Sequence, residues 1–408
     1  MTNKQKALDT LKQYWGYDSF REIQEDVIDS VLSGTDVLAL ARTGLGKTCL
    51  FQVPALILEG TTLVISPLKA LQKDQVDACL KLNIPVAFIN SDVGIRERRR
   101  ILKLLTEDKL KLLYVAPETF FSEDFKPFLA LLKVPLLAID EAHCASSWSD
   151  FRPNYQKIHL IRELHFPKAT LLAVTATADE MIKKDIIKYT GLKTDFKTYQ
   201  TSFDRPNIHY NIIRAFKPTS DYVLEILLKY TKETQGIVYC GTRDSAEQMS
   251  KFLTMLGYPS ICYHAGMKKK DKEKAQEDYA NGTIKIICAT VAFGMGIDLP
   301  KVRYVIHVDP PHTFDDYSQQ VGRCSRDGER ADTFLIYVPD SLRKASWLIR
   351  KTTLNPERLK VKLLKLKQFH EFCSTTTCRR IQLLSYFGEK YPKLKCNSCD
   401  ACLGKLTR

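Results

Sequence analysis

No stretch of the 408 residues approaches the ~20 consecutive apolar positions that a helix needs to cross a bilayer. The opening MTNKQKALDTLKQYW is polar with helical spacing, unlike a secretory leader. A soluble, intracellular chain with no membrane partner is therefore expected. Low-complexity tracts and sequence repeats are also missing. Acidic residues are in deficit, 47 Asp and Glu against 61 Lys and Arg, for a formal charge of +14. That sign points to an anionic partner, most often nucleic acid. With 44% apolar and 26% charged residues, wholesale disorder is excluded and two or three packed domains are expected.

The charge is unevenly placed. Residues 341–408 hold sixteen Lys/Arg and four Asp/Glu, a surplus of +12, which leaves the first 340 residues at +2. Cysteine is uneven too. Cys49, Cys79, Cys144, Cys240, Cys262, Cys288 and Cys324 are scattered through apolar context, as small buried hydrophobes of a reducing compartment are. The other five crowd into the last thirty-six residues, where a metal is the better reading.

Short apolar runs alternate with helical segments: VLAL near 37, TLVIS near 62, VAFI near 86, KLLYV near 111, LLAI near 136 and LLAV near 171. The pattern restarts with IHYNI near 208, GIVYC near 236, ICY near 261, KIICA near 285, RYVIHV near 303 and TFLIY near 333. Strands alternating with helices predict α/β domains with parallel sheets. The expected division is 1–200, 201–340 and a basic helical piece at 341–408, in which Leu359, Leu363, Leu366 and His370 fall at helical spacing. A piece that small gains from a metal staple or from packing on its neighbour.

In DVLALARTGLGKT, Gly44, Gly46, Lys47 and Thr48 follow an apolar run and open a predicted helix. Glycines let backbone N–H groups approach phosphates, Lys47 can reach the β and γ phosphates, and Thr48 can ligate Mg²⁺. The strict phosphate-loop pattern has glycine at 41, where this chain has Ala41. Later, VPLLAIDEAHCASSW ends a buried-strand run in two carboxylates. Acidic pairs after strands are common loop features; beside a phosphate loop, Asp140 becomes a candidate Mg²⁺ ligand and Glu141 a candidate base for water. In YSQQVGRCSRDG, Arg323 and Arg326 share a face if the segment is helical. They could neutralise charge on a transferring phosphoryl group; alone, they would read as a surface ion-pair motif.

The tail places Cys378, then seventeen intervening residues, then Cys396-x-x-Cys399-x-x-Cys402. Four thiolates suit tetrahedral structural zinc, while the closely spaced three also resemble an iron–sulfur run. Cys373 reads as helix core or a spare thiol.

The segments WGYDSFREIQ, ARTGLGKT, VISPLKALQKDQ, LLYVAPE, DEAH followed by CASSWSDFRPNY, VTATA, SFDRPNI, GIVYC, YHAGM, ATVAFGMGIDLP and YSQQVGRCSRDG occur in this order from about residue 15. Together with the cysteines they resemble the RecQ family of superfamily 2 DNA helicases over nearly the whole chain. The resemblance implies two tandem RecA-like parallel-sheet domains followed by a helical four-cysteine subdomain, with zinc favoured over iron–sulfur. It implies ATP between the RecA-like domains, Tyr17 and Arg21 sandwiching adenine and Gln24 bonding its edge. It makes Arg326 an arginine finger assisted by Arg323, and faces Asp298 toward the nucleotide. His143 and Thr175-Ala176-Thr177 would couple hydrolysis to domain movement, and Trp148, Phe151 and Arg152 would contact DNA.

Several positions depart from the family pattern. Trp148-Ser149-Asp150-Phe151 is one residue shorter than Trp-Gly-His-Asp-Phe and lacks its histidine. Glu22-Ile23 replaces Pro-Gly, Arg42 and Leu45 are atypical, and Gln320, Cys324 and Ser325 stand where Glu, Ala and Gly are usual. Larger relatives continue into a winged-helix domain and a further helical one, so a short form is expected here. The expected activity is ATP-driven 3′ to 5′ movement on single-stranded DNA, with unwinding at single/double-strand junctions. The alternatives are an RNA helicase, or a nucleic-acid-binding module that uses ATP as a switch. A monomer is expected, with protein partners in DNA repair or recombination, nucleoid-associated in a bacterial cytoplasm or nuclear in a eukaryote.

Overall fold

The computed structural model describes residues 2–67, 69–147, 153–176, 178–293, 299 and 301–405. It divides into two units, residues 1–202 and 203–408, each built on its own sheet. Among the described residues no helix is long and apolar enough to cross a membrane.

The first unit contains β1 (Val37–Leu40), β2 (Thr62–Ile65), β3 (Val86–Ile89), β4 (Leu112–Val115), β5 (Leu136–Ile139), β6 (Thr170–Thr175) and β7 (Lys197–Gln200). They lie in the order β3-β4-β2-β5-β6-β1-β7, every neighbouring pair parallel. Successive side chains point to opposite faces. Leu63 and Ile65 thus join Ile101, Phe120, Phe125 and Phe128 in one core, while Val64 joins Val27, Phe51 and Tyr114 in the other. Covering both faces is why these strands read as unbroken apolar runs. The edge strand β7, with sequence KTYQ, is largely exposed and has no such run, so it carries no sequence signal.

Helix boundaries follow local chemistry. Thr2 caps Asn3–Trp15 by accepting from Gln5 N at 3.3 Å, and Asp179 caps Glu180–Thr190 by accepting from Ile182 N at 2.7 Å. Where β1 begins, buried Asp36 pairs with Arg162 Nη2 at 3.0 Å and accepts the Leu171 and Lys193 amides, each at 3.0 Å. Because all strands run the same way, the loops after β1, β5 and β6 leave from one edge of the sheet, where open α/β sheets bind ligands.

The second unit contains β8 (Ile208–Arg214), β9 (Gly236–Tyr239), β10 (Ser260–Tyr263), β11 (Ile286–Ala289), β12 (Tyr304–His307) and β13 (Ala331–Tyr337) in the all-parallel order β10-β11-β9-β12-β13-β8. Gly236 is required on β9, since a Cβ there would lie 1.9 Å from the Tyr304 ring. Beyond β13, helices Ser341–Thr352 and Pro356–Ser374 pair through Ala345, Ile349 and Leu366. The second of them then enters the main core of this unit. Phe369 and Phe372, with Leu383, Leu384 and Phe387, pack with Phe314 and Tyr317.

The cysteine module also protects a sheet edge. Asp400 N donates to Tyr210 O at 3.0 Å and the Asp400 carboxylate accepts from Ile212 N at 3.3 Å, which pairs β8's outer edge. Asp400 is held by Arg379 Nη2 at 2.9 Å, both side chains being buried.

Candidate nucleotide site and metal centre

The phosphate loop leaves β1 and reaches the helix Cys49–Ile57 through a backbone that places Gly44 at φ 91° and Gly46 at φ 86°. Gly46 also lies against Gln24, whose Nε2 would stand 3.1 Å from an added Cβ. That Nε2 donates to Leu45 O at 2.8 Å and Gly46 O at 3.3 Å, and Gln24 Oε1 accepts from Arg21 N at 2.9 Å. In this structure both ends of the Gln24 amide are thus engaged by protein. The Arg21 guanidinium lies 5.7 Å from the centroid of the exposed Tyr17 ring, a cation–π pair.

Lys47 Nζ is 3.9 Å from Glu141 Oε1, with both side chains mostly buried. Beside them Asp140 accepts from Glu141 N and from Gln75 Nε2, each at 3.0 Å. Burial and then the like charge of Glu141 push the Asp140 carboxyl up to about 6, against the pull of Lys47 and Gln75. A divalent cation beside Asp140 would reverse that balance, so the buried, oxygen-donating Asp140 carboxylate fits Mg²⁺. Glu141 has φ 48°, a left-handed backbone rare for a non-glycine residue and common at functional turns. His143 Nδ1 is 2.8 Å from Thr175 Oγ1 and 3.3 Å from Glu141 Oε2, linking the β5 and β6 loops.

In the second unit the helix Phe314–Val321 stops before either arginine, so Arg323 and Arg326 do not share a helical face. They lie in a turn containing Ser325 at φ 52°, with the Cys324 and Ser325 carbonyls accepting from Arg205 Nη2 at 3.1 and 2.6 Å. Arg323 is buried and Arg326 half-buried. Both act on the Tyr239 phenol, which burial holds up at about 12 against their pull. The turn thus carries both arginines beyond the end of the helix.

Trp148, Phe151, Arg152, Thr177 and Asp298 lie outside the described residues. Gln75 went unassigned in the sequence. It belongs to the motif VISPLKALQKDQ, but its partner is sixty-five positions away and nothing in the local pattern names it.

The sulfurs of Cys378, Cys396, Cys399 and Cys402 lie within 4.8 Å of one another. Cys396 and Cys402 are 3.8 Å apart, matching the edge of about 3.8 Å for a tetrahedron of Zn–S bonds near 2.3 Å. Burial opposes ionisation of Cys396, yet hydrogen bonds from the Ser398 hydroxyl and the Ser398 and Cys399 amides bring its thiol down to about 6. This donor set fits zinc. Cys373 is outside the cluster and buried among Phe369, Phe372 and Leu383, where burial drives its thiol well up.

Three family models match in succession: DEAD/DEAH box helicase over residues 21–184, helicase conserved C-terminal domain over 219–328, and RecQ zinc-binding over 340–403. The ATP-dependent DNA helicase RecQ of Pasteurella multocida is 40% identical over 98% of this chain and 62% of its own length. That of Bacillus subtilis is 36% identical over 97% of this chain and 67% of its own. A putative ATP-dependent RNA helicase of Acanthamoeba polyphaga mimivirus is 37% identical over 99% and 73%. The chain thus spans 62–64% of the first two relatives it matches.

Among solved structures, yeast Dbp5 bound to RNA and ADP BeF3 aligns with TM-score 0.66 at 15% identity over 88% of this chain and 97% of that one. Mycobacterium smegmatis Lhr bound to single-stranded DNA and AMP-PNP aligns with TM-score 0.64 at 16% identity over 93% and 55%. These two share the fold. With helicase and zinc-binding models in sequence along its length and more than a third of its residues shared with RecQ proteins, the chain belongs to the RecQ family.

Proposed function

We propose that the chain is a DNA-stimulated ATPase that moves 3′ to 5′ on single-stranded DNA and unwinds at single/double-strand junctions. The observation that carries this reading is the convergence of Lys47, Asp140 and Glu141 at the ends of β1 and β5. A protein that only bound nucleotide would have no need of Glu141.

Tyr17, Arg21 and Gln24 take the base, and the amides around Gly44 and Gly46 receive the phosphates with Lys47. Thr48 and Asp140 would hold Mg²⁺, which would supply positive charge to the phosphate oxygens. Glu141 orients the attacking water and accepts its proton; His143, tied to Thr175, passes the change in this loop to the β6 end. Arg326, assisted by Arg323, meets the charge that develops on the γ-phosphate, with Asp298 facing the nucleotide. Trp148, Phe151 and Arg152 contact the strand by stacking and charge.

Residues 1–200 and 201–340 form the two motor domains, and 341–408 the zinc-stapled basic subdomain. It works as a monomer with partners in DNA repair or recombination, in a bacterial cytoplasm with the nucleoid or in a eukaryotic nucleus. The mimiviral relative's printed name motivates a second reading, an RNA helicase. Comparing ATPase stimulation by single-stranded DNA and by RNA separates the two, and much stronger RNA stimulation rejects the first. Strand displacement on 3′-tailed, 5′-tailed and blunt duplexes tests the direction.

A further inference from the structure

The turn that precedes Gln24 is tied to the phosphate loop at several points. Gln24 Nε2 reaches Leu45 O at 2.8 Å and Gly46 O at 3.3 Å, and Arg21 Nη1 reaches Gly44 O at 3.5 Å. The remaining tie joins two charged side chains: Arg42 Nη2 pairs with Glu22 Oε1. Both ends are held by their own backbones. Arg42 N donates to Thr201 Oγ1 at 3.0 Å, and Glu22 sits in a tight turn at φ 41°, a left-handed conformation that a side chain rarely adopts. Strained positions of this kind persist where the surroundings over-determine them. Here Arg21 N closes the turn on Gln24 Oε1 at 2.9 Å while Arg42 anchors the strained residue itself.

We infer that the Glu22–Arg42 ion pair is a clasp that fastens the base-side turn to the phosphate loop, so that Glu22 and Arg42 are positioning residues for nucleotide binding. The inference rests on the ATPase reading above. The pair performs two tasks. It presents Arg21 and Gln24 at a set distance from Gly44 and Gly46, lowering the ordering that nucleotide binding would otherwise require. It also cancels a carboxylate that would otherwise repel a triphosphate entering the neighbouring loop. The two single variants therefore differ in consequence. Arg42→Ala loses the clasp and uncovers a carboxylate that repels the triphosphate; Glu22→Ala loses the clasp but leaves the Arg42 cation, which attracts it.

The test measures KM and kcat for ATP at saturating single-stranded DNA, with binding of a fluorescent ATP analogue at low and high salt. For a partly exposed pair the expected loss of nucleotide affinity is roughly two- to five-fold for Glu22→Ala, and larger for Arg42→Ala. In both, kcat stays within about twofold and the salt dependence of binding changes. The double exchange Glu22→Arg with Arg42→Glu recovers much of the affinity, while Arg100→Ala, which breaks an exposed pair elsewhere, changes neither constant. Unchanged KM in both single variants, or a loss confined to kcat, overturns the clasp. An exchange variant no better than the two losses combined also overturns it. Wild-type protein without DNA-stimulated ATP hydrolysis overturns the proposed function instead.

Discussion

The Lys47 ammonium stands 3.9 Å from the Glu141 carboxylate, so the cation proposed for the phosphates and the base proposed for water face each other where the loops after β1 and β5 meet. Glu141→Gln keeps the side chain's size and removes its basicity. Turnover is expected to fall by about 10²–10⁴-fold, the usual share of a positioned general base. Lys47→Ala is expected to abolish hydrolysis, because the β and γ phosphates are deprived of their cation. DNA affinity in both should stay within a few-fold, checked by anisotropy with a labelled oligonucleotide. Normal turnover in either variant would remove these residues from the chemistry.

The metal centre is coupled to the sheet through Asp400, which bonds Tyr210 and Ile212 while gripping Arg379. Stripping zinc with a chelator, or Cys399→Ser, should lower the melting temperature and raise amide exchange at Ile212 as well as in residues 379–405. Metal analysis of protein purified without chelator should return zinc. Its absence would defeat the assignment.

His307 is buried at the end of β12 with its Nε2 2.9 Å from Gln320 Oε1. Burial, partly opposed by that bond and by a backbone bond at Phe334, lowers its pKa from 6.5 to about 3. The unfolded chain therefore binds a proton below pH 6.5 that the folded one refuses, so stability from this residue is present above pH 6.5 and is lost as pH falls toward 3. The slope is roughly 1.4 kcal/mol per pH unit in that window. Denaturant titrations of wild type and His307→Gln from pH 7.5 to pH 5 should show the steeper acid loss in wild type; parallel profiles would contradict it.

Whether the basic tail grips phosphates cannot be tested by deleting it, because Phe369, Phe372 and Leu384 belong to the second unit's core. Exposed Lys344, Arg350, Lys351 and Lys360 offer a gentler route. Changing them to glutamine should flatten the log–log salt dependence of single-strand binding by about 0.7 for each phosphate that is no longer neutralised. An unchanged slope would assign these charges to solubility alone.

The amino-acid sequence by itself determined the alternating elements, the phosphate loop at 44–48, the acidic pair at 140–141 and the cysteine spacing at 378–402. Each is written in consecutive residues whose local chemistry demands it: apolar runs for strands buried on both faces, glycines for positive φ, thiols on a short turn. Tertiary structure alone decided that Gln75 supports Asp140, that Glu22 meets Arg42, that Arg323 and Arg326 sit in a turn beyond their helix, that β7 joins the sheet, and that the tail shares a core with the second sheet. The physical reason is that these depend on which distant backbone or charge happens to lie within reach. A half-buried Arg42, a helical Gln75 and a polar KTYQ each satisfy their local rules in many surroundings, so only the folded packing selects their partners.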